Sequence, residues 1–303
     1  MMLQRLLRHR PISFQLFKSQ VTNSTLPRIR SLTSAMSQPP KLEHVKVETE
    51  TGIAIIKYNR PKAANALFTP LLEDILKAFQ WAENNPDTRI IITTGEGKFY
   101  TAGLDLLDPI NQGPNSTISD EFTDVLSTIH KLMINSNKLL IAAVNGPAPG
   151  WGTSSLALHD LVYSAPNAIF FTPFVQWGIC AEACSSLTFK SIMGRQKASA
   201  LILAGQRMTP EELERAGLIT KILPQEGFLE EVLKVARGVV KLPAEALKVN
   251  KELMMRGTRE GLLKANDVEL EVLRKQTRGS ESKNAIAAFA EETKKRKEAK
   301  AKL

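Results

Sequence analysis

The sequence predicts an α/β fold in which short strands alternate with helices, followed by an all-helical tail. Two observations carry this. Apolar runs of strand length, such as Ile90-Ile91-Ile92 and Leu139-Leu140-Ile141-Ala142-Ala143-Val144, are separated by stretches with apolar residues at helical spacing. Beyond Phe228 the pattern is helical throughout, roughly over 228–241, 244–255, 259–278 and 283–297. The unbroken 139–144 run is what a strand buried on both faces requires.

Taken in order, residues 45–49 and 53–58 flank Gly52 and read as a strand pair. A polar loop at 59–66 precedes a helix marked by Leu71, Leu72, Ile75, Leu76 and Phe79, with Thr69 as N-cap and Pro70 behind it. After the strand at 90–92, Gly95-Glu96-Gly97-Lys98 lacks the spacing of a phosphate loop, which excludes nucleotide binding of that kind. Residues 108–119 read as a mobile loop and 121–135 as a helix, with Phe122, Val125, Ile129, Leu132 and Met133 in register.

The turn at 145–152 holds three glycines and two prolines, and it leads to a helix with Thr153, Ser154 and Ser155 in its first turn. A strand, a glycine turn and a helix N-terminus present free backbone N–H groups at the positive end of a helix dipole. Such a place suits a developing negative charge; the plain alternative is a tight βα connection without chemistry. Strands at 161–163 and 168–171 follow. Glu182 is the one carboxylate between Asp160 and Glu211, and its neighbours are apolar. It is either a solvated first-turn residue or a carboxyl whose apolar setting raises its pKa and fits it for proton transfer. Thr209-Pro210 opens a capped helix that Gly217 closes before a strand at 218–223.

Charge is unevenly placed. Of the net +9, seven positive charges fall before Glu43, the first acidic residue, which leaves +2 for the rest and removes the main support for nucleic-acid binding. The head, residues 1–40, is Arg- and Ser-rich and free of acids, as an organelle presequence is; a disordered basic tail is the alternative. No apolar stretch is long enough for a membrane span. Cys180 and Cys184 read as two free thiols, and no His or carboxylate cluster completes a metal set.

Four stretches in order resemble the crotonase superfamily, also called the enoyl-CoA hydratase/isomerase family. They are residues 60–66 (Arg-Pro-Lys-Ala-Ala-Asn-Ala), 99–106 (Phe-Tyr-Thr-Ala-Gly-Leu-Asp-Leu), 142–150 and 203–208. The resemblance spans about residues 45 to 290. It implies a crotonase-like spiral of ββα units over 41–242 and a C-terminal helical trimerisation region over 243–303. It further implies an acyl-CoA thioester as substrate, with no cofactor because CoA is part of that substrate, and a homotrimer or hexamer. By motif position the thioester oxygen would sit between the backbone N–H groups of Leu104 and Trp151, with Ala102, Gly103, Leu104, Asp105, Leu106 and Gly150 around the substrate.

The two glutamates of family hydratases fall on Ser154 and Phe174 here, so hydration is not expected. Residues 181–186, Ala-Glu-Ala-Cys-Ser-Ser, resemble the Pro-Glu-Gly-Cys-Ser-Ser of the peroxisomal Δ3,Δ2-enoyl-CoA isomerase branch. That resemblance makes Glu182 the single base that moves a proton from the α- to the γ-carbon. Ala181 and Ala183 depart from the branch, as do Pro149 and Trp151, whose indole would narrow the acyl pocket. Another family isomerase or hydratase, or a non-catalytic acyl-CoA-binding protein of the same fold, is the alternative. The tail Ala301-Lys302-Leu303 is similar to the tripeptide read by the peroxisomal import receptor. The expected address is therefore the peroxisome, with the mitochondrion as a second site from the basic head.

Overall fold

The computed structural model of the chain describes residues 38–109, 113 and 115–301. Residues 1–37 of the presequence-like head, Lys302 and Leu303 of the tail tripeptide, and Ile110, Asn111, Gln112 and Pro114 of the 108–119 loop lie outside the described residues.

Strands β1 (Val45–Glu50) and β2 (Ile53–Tyr58) form an antiparallel hairpin that turns at Gly52, where φ is 76°. Helix α1 (Thr69–Asn84) carries the chain to β3 (Ile90–Gly95), parallel to β2, and α2 (Asp120–Asn135) carries it to β4 (Leu139–Val144), parallel to β3. After a two-residue strand β5 (Ala148–Pro149) and a single helical turn α3 (Trp151–Ser154), strand β6 (Leu161–Ser164) joins the far side of β4. The short β7 (Phe170–Phe171) pairs with β5 in a separate two-stranded sheet. Helices α4 (Ser185–Ile202) and α5 (Pro210–Ala216) lead to β8 (Lys221–Ile222), which closes the main sheet in the order β1-β2-β3-β4-β6-β8. Four helices end the described chain: α6 (Phe228–Val240), α7 (Ala244–Met255), α8 (Arg259–Thr277) and α9 (Ser280–Ala301).

The sheet is covered on both faces, and the alternation of its side chains shows how. Ala54, Ile56, Leu140, Ala142 and Val144 join the larger core with α1 and α2. Ile53, Ile55, Ile90, Ile92, Ile141 and Ala143 join a second core capped by Phe228, Val232 and Ala236 of α6. Full burial of an aliphatic side chain of this size is worth about 1.5–3 kcal/mol, so both faces contribute to holding β4 in place.

Several boundaries differ from the expectations. Thr69 is already helical and Phe68, extended at φ −134° and ψ 163°, is the N-cap of α1. The helix after the glycine turn begins two residues early, at Trp151, and continues beyond Ser154 as a 3-10 turn, so it is shorter than its run of small residues suggests. β7 and β8 are two-residue strands, because they pair at sheet edges over only two positions. Glu182 lies in no helix; α4 starts three residues later and breaks at Gly194, where φ is 79° and ψ 159°. The predicted cap at Thr209 is a full capping box with Glu212, and Gly217 ends α5 at φ 88°.

Candidate active site

One side of the site is made of backbone. Residues 60–66 lock the 99–108 segment in place. The Asn65 side-chain amide donates to the carbonyls of Glu96 (3.0 Å) and Phe99 (2.8 Å). The Arg60 guanidinium holds Asp105 at 2.7 Å and Asp108 at 3.0 Å. Leu104 then pairs with Leu67 in a parallel bridge: the Leu67 N–H donates to the Gly103 carbonyl (2.7 Å), and the Asp105 N–H donates to the Leu67 carbonyl (2.9 Å). In that geometry the N–H of Leu104 itself points away from Leu67.

Gly103, at φ 73°, packs against the glycine turn; a Cβ there would stand 2.7 Å from the Pro149 carbonyl oxygen and 3.3 Å from the Trp151 nitrogen. Trp151 is the first residue of α3, so its N–H is one of those a helix leaves without an intrahelical acceptor. Gly150 precedes it at φ 59°, held by its own N–H to the Phe171 carbonyl at 2.8 Å.

The other side is a carboxyl. Glu182 is only 6% exposed. Its Oε1 accepts a hydrogen bond from the Ser154 hydroxyl, and its Oε2 has no partner among the described residues. Burial pushes its pKa up to about 8, and the Glu269 charge adds to this while the Ser154 hydroxyl opposes it. The carboxyl is followed by Ala183 at φ 53° and Cys184 at φ 61°. Two left-handed non-glycine residues in succession cost about 1–2 kcal/mol each. Ala183 stands where the resembling motif has glycine, and this conformation is the physical reason for a glycine there.

His130 of α2 completes the surroundings. Its Nε2 accepts from the Trp151 indole Nε1 (2.9 Å), and its Nδ1 faces Asn266 Oδ1 (2.8 Å), so the proton is on Nδ1. Burial lowers its pKa to about 4, which keeps the ring neutral. Its Nε2 lies 3.8 Å from Glu182 Oε2, but with that nitrogen already accepting, it has no proton to offer the carboxyl.

A cavity of about 70 Å³ lies between these sides, lined by Ala102, Leu104, Leu106, Gly150, Trp151 and Glu182 among others. Six of the eight residues expected at the site therefore meet in one place. Gly103 supports the turn from behind, and Asp105 is engaged by Arg60. Phe174, Trp177 and Leu273 add apolar wall, and Glu182 is the only carboxylate among the lining residues. The buried Trp151 indole, tied to His130, takes up part of the apolar end. Among the described residues no cluster of His, Cys, Asp or Glu suits a metal, and Cys180 and Cys184 are free thiols.

Sequence reasoning did not single out His130, Asn266 or Glu269, and it read Ser154 as a first-turn helix residue and a missing glutamate, not as a partner of Glu182. The available signal was polarity in the wrong place. His130 interrupts an apolar helical face, and Asn266 and Glu269 fall on the same buried face of α8 as Leu262 and Leu273.

The description "Enoyl-CoA hydratase/isomerase" matches residues 48–299 as a family. Enoyl-CoA delta isomerase 2 of Rattus norvegicus is 35% identical over 246 residues, which covers 81% of this chain and 63% of the rat protein. Peroxisomal enoyl-CoA delta isomerase 3 of Mus musculus is 34% identical over 74% of this chain and 71% of its own length. This chain thus spans a little under two thirds of the rat relative. A crystal structure of enoyl-CoA hydratase/isomerase from Pseudoalteromonas atlantica T6c superposes with a TM-score of 0.76 at 29% identity, covering 82% of this chain and 98% of that one. The sheet order, the helical tail, the backbone-lined cavity and these likenesses agree: the chain belongs to the enoyl-CoA hydratase/isomerase family.

Proposed function

We propose that the chain shifts the double bond of a 3-enoyl-CoA to give the trans-2-enoyl-CoA, with Glu182 as the only proton carrier. The observation that carries this reading is a solitary buried carboxyl, one oxygen unpartnered, across a small apolar cavity from the backbone of Leu104 and Trp151. Glu182 Oε2 takes a proton from C2. The electron pair of that C–H bond moves into C1–C2, and the thioester oxygen takes the negative charge, shared with C4 through the original C3–C4 double bond. The N–H groups of Leu104 and Trp151 stabilise that oxygen as it charges; in other enzymes one such donor is worth about 2.7–4 kcal/mol. The same carboxyl returns the proton to C4, the double bond now lies at C2–C3, and Glu182 is regenerated.

Hydration needs a second carboxylate to hold and activate water. Ser154 and Phe174 stand where the resembling hydratases carry theirs, and neither can act as a base. The names of the rat and mouse relatives support an isomerase, and the mouse name supports a peroxisomal setting. The reading includes assembly into a homotrimer or hexamer, which the exposed Val249, Leu253 and Met254 of α7 support. The test is to offer the purified chain a 3-enoyl-CoA and a trans-2-enoyl-CoA separately. Conjugated thioester absorbance should appear with the first, and no 3-hydroxyacyl product with the second. Product from the second alone makes the chain a hydratase.

A further inference from the structure

Glu182 is held by a turn that its own neighbours do not explain. Ala183 and Cys184 are both left-handed, neither is glycine, and Cys184, the N-cap of α4, offers no side-chain acceptor to the helix N-terminus. The acceptor comes from α8, more than eighty residues away. Glu269, 6% exposed, takes the Cys184 N–H on Oε2 at 2.7 Å and the Ser186 N–H on Oε1 at 2.9 Å. The Cys180 and Cys184 thiols donate to the α8 carbonyls of Glu269 (3.4 Å) and Leu262 (3.2 Å), so both ends of the 180–184 segment are fastened to that helix. A carboxylate that accepts two helix-terminal N–H groups forms strong, directional bonds and meets the positive end of the α4 dipole.

We infer that Glu269 is a positioning residue of the site: it fixes the Glu182 carboxyl through the 183–186 turn and places a second buried carboxyl behind it. This rests on Glu182 being the base. Four elements face that base. His130 from α2 is neutral, Ser154 from α3 carries no charge, and the thiols of Cys180 and Cys184 are held protonated by burial. Glu269 from α8 is the remaining ionisable neighbour, and its charge makes Glu182 a stronger base. Burial raises the pKa of Glu269 itself, against the pull of its two N–H donors.

Two variants separate the two roles. Glu269→Gln removes the charge and keeps the shape and one of the two acceptors, its NH2 replacing the other, so the acid limb of the kcat profile should move to lower pH. Glu269→Ala removes both bonds, and kcat on the pH plateau should fall about 10–100-fold with KM within about twofold, as expected for a base displaced by a fraction of an ångström. A purely structural Glu269 would lower the melting temperature while leaving the limb in place. The Glu182 carboxyl is also titrated directly by carbon-13 NMR, assigned with Glu182→Gln, in the wild type and in Glu269→Gln. That readout needs no turnover, so an inactive wild type would defeat the isomerase reading while the NMR shift still decides the charge coupling. Should Glu269→Gln not fold, wild-type NMR alone decides: Glu182 must then show a second inflection where Glu269 titrates. Coincident Glu182 titrations in the two proteins, a single inflection in that fallback, or a folded Glu269→Ala with plateau kcat within about threefold of wild type would overturn the proposal.

Discussion

The two sides of the cavity are built in opposite ways. The donor side, 102–104 with 149–151, is backbone held mainly by backbone: a parallel bridge to Leu67 and a strand bond to Phe171, with the Asn65 side-chain amide behind them. The base side, 179–184, has no regular structure and hangs on side chains from α3 and α8. A site needs both kinds of construction. Donors for an oxyanion must not move, since their value lies in being oriented before charge appears. A base that serves two carbons must be held firmly yet keep one oxygen free.

This contrast can be broken at several points. The largest effect is expected at the base. Glu182→Gln keeps the shape and should cost at least about 10²–10⁴-fold in isomerisation, with the fold and CoA binding retained. Activity above about a tenth of wild type, or about 1.4 kcal/mol, would assign the proton to another group. On the donor side Gly103→Val should come next. Its Cβ would press on the Pro149 carbonyl and the Trp151 nitrogen, at a φ of 73° that valine resists. Loss of about 10²–10³ in kcat, as for a lost donor, with a lowered melting temperature is the expected pair of results. An active Gly103→Val would show the donor side to be tolerant.

Smaller effects sharpen the base side. Ser154→Ala removes the hydroxyl that favours the charged carboxyl, so the acid limb of kcat/KM, expected near pH 8 from Glu182, should move upward and the rate fall by about tenfold. An unmoved limb would separate Ser154 from the titration. Glu182 also links stability to pH. The folded chain keeps this proton to about pH 8 while an unfolded carboxyl releases it near 4.5, so between these values the native state binds more protons and wild-type stability falls as pH rises. Glu182→Gln lacks that contribution, and its melting temperature should gain on wild type between pH 5 and 8; parallel curves would contradict a buried neutral carboxyl. Least of all, Trp151→Phe keeps the backbone N–H but loses the bond to His130. Chain-length preference should shift toward longer acyl groups with kcat for short ones little changed, as measured across a series of 3-enoyl-CoA chain lengths.

The donor side was legible in the sequence because its causes are local. Three glycines and two prolines after a fully apolar strand leave the backbone few routes, and the strand pattern at 53–58, 90–92 and 139–144 falls within the observed sheet. Glu182 was legible as a carboxylate alone among apolar neighbours. What holds it was not. Glu269 sits between Asp267 and Glu271 in a helix whose charges are mostly solvated, and only its spacing from Leu262 and Leu273 separates the buried glutamate from the exposed ones. Burial is decided by the face of α8 that meets the core. The start of α3 was also misread by two residues, since a row of small residues does not say where the helix begins or where it tightens to 3-10 geometry.

The free oxygen of Glu182 has a consequence for isotopes. With Oε1 bound to a buried hydroxyl, Oε2 unpartnered among the described residues and His130 lacking a proton on the facing nitrogen, the carboxyl has no hydrogen-bonded route to solvent through these groups. In the proposed reaction, a proton lifted from C2 would have one destination, the far end of the same dienolate. Substrate deuterated at C2 should therefore give product labelled at C4, and reaction in heavy water should introduce little label from the solvent. The site would act as a closed shuttle, carrying one hydrogen two bonds along the chain and keeping its identity throughout.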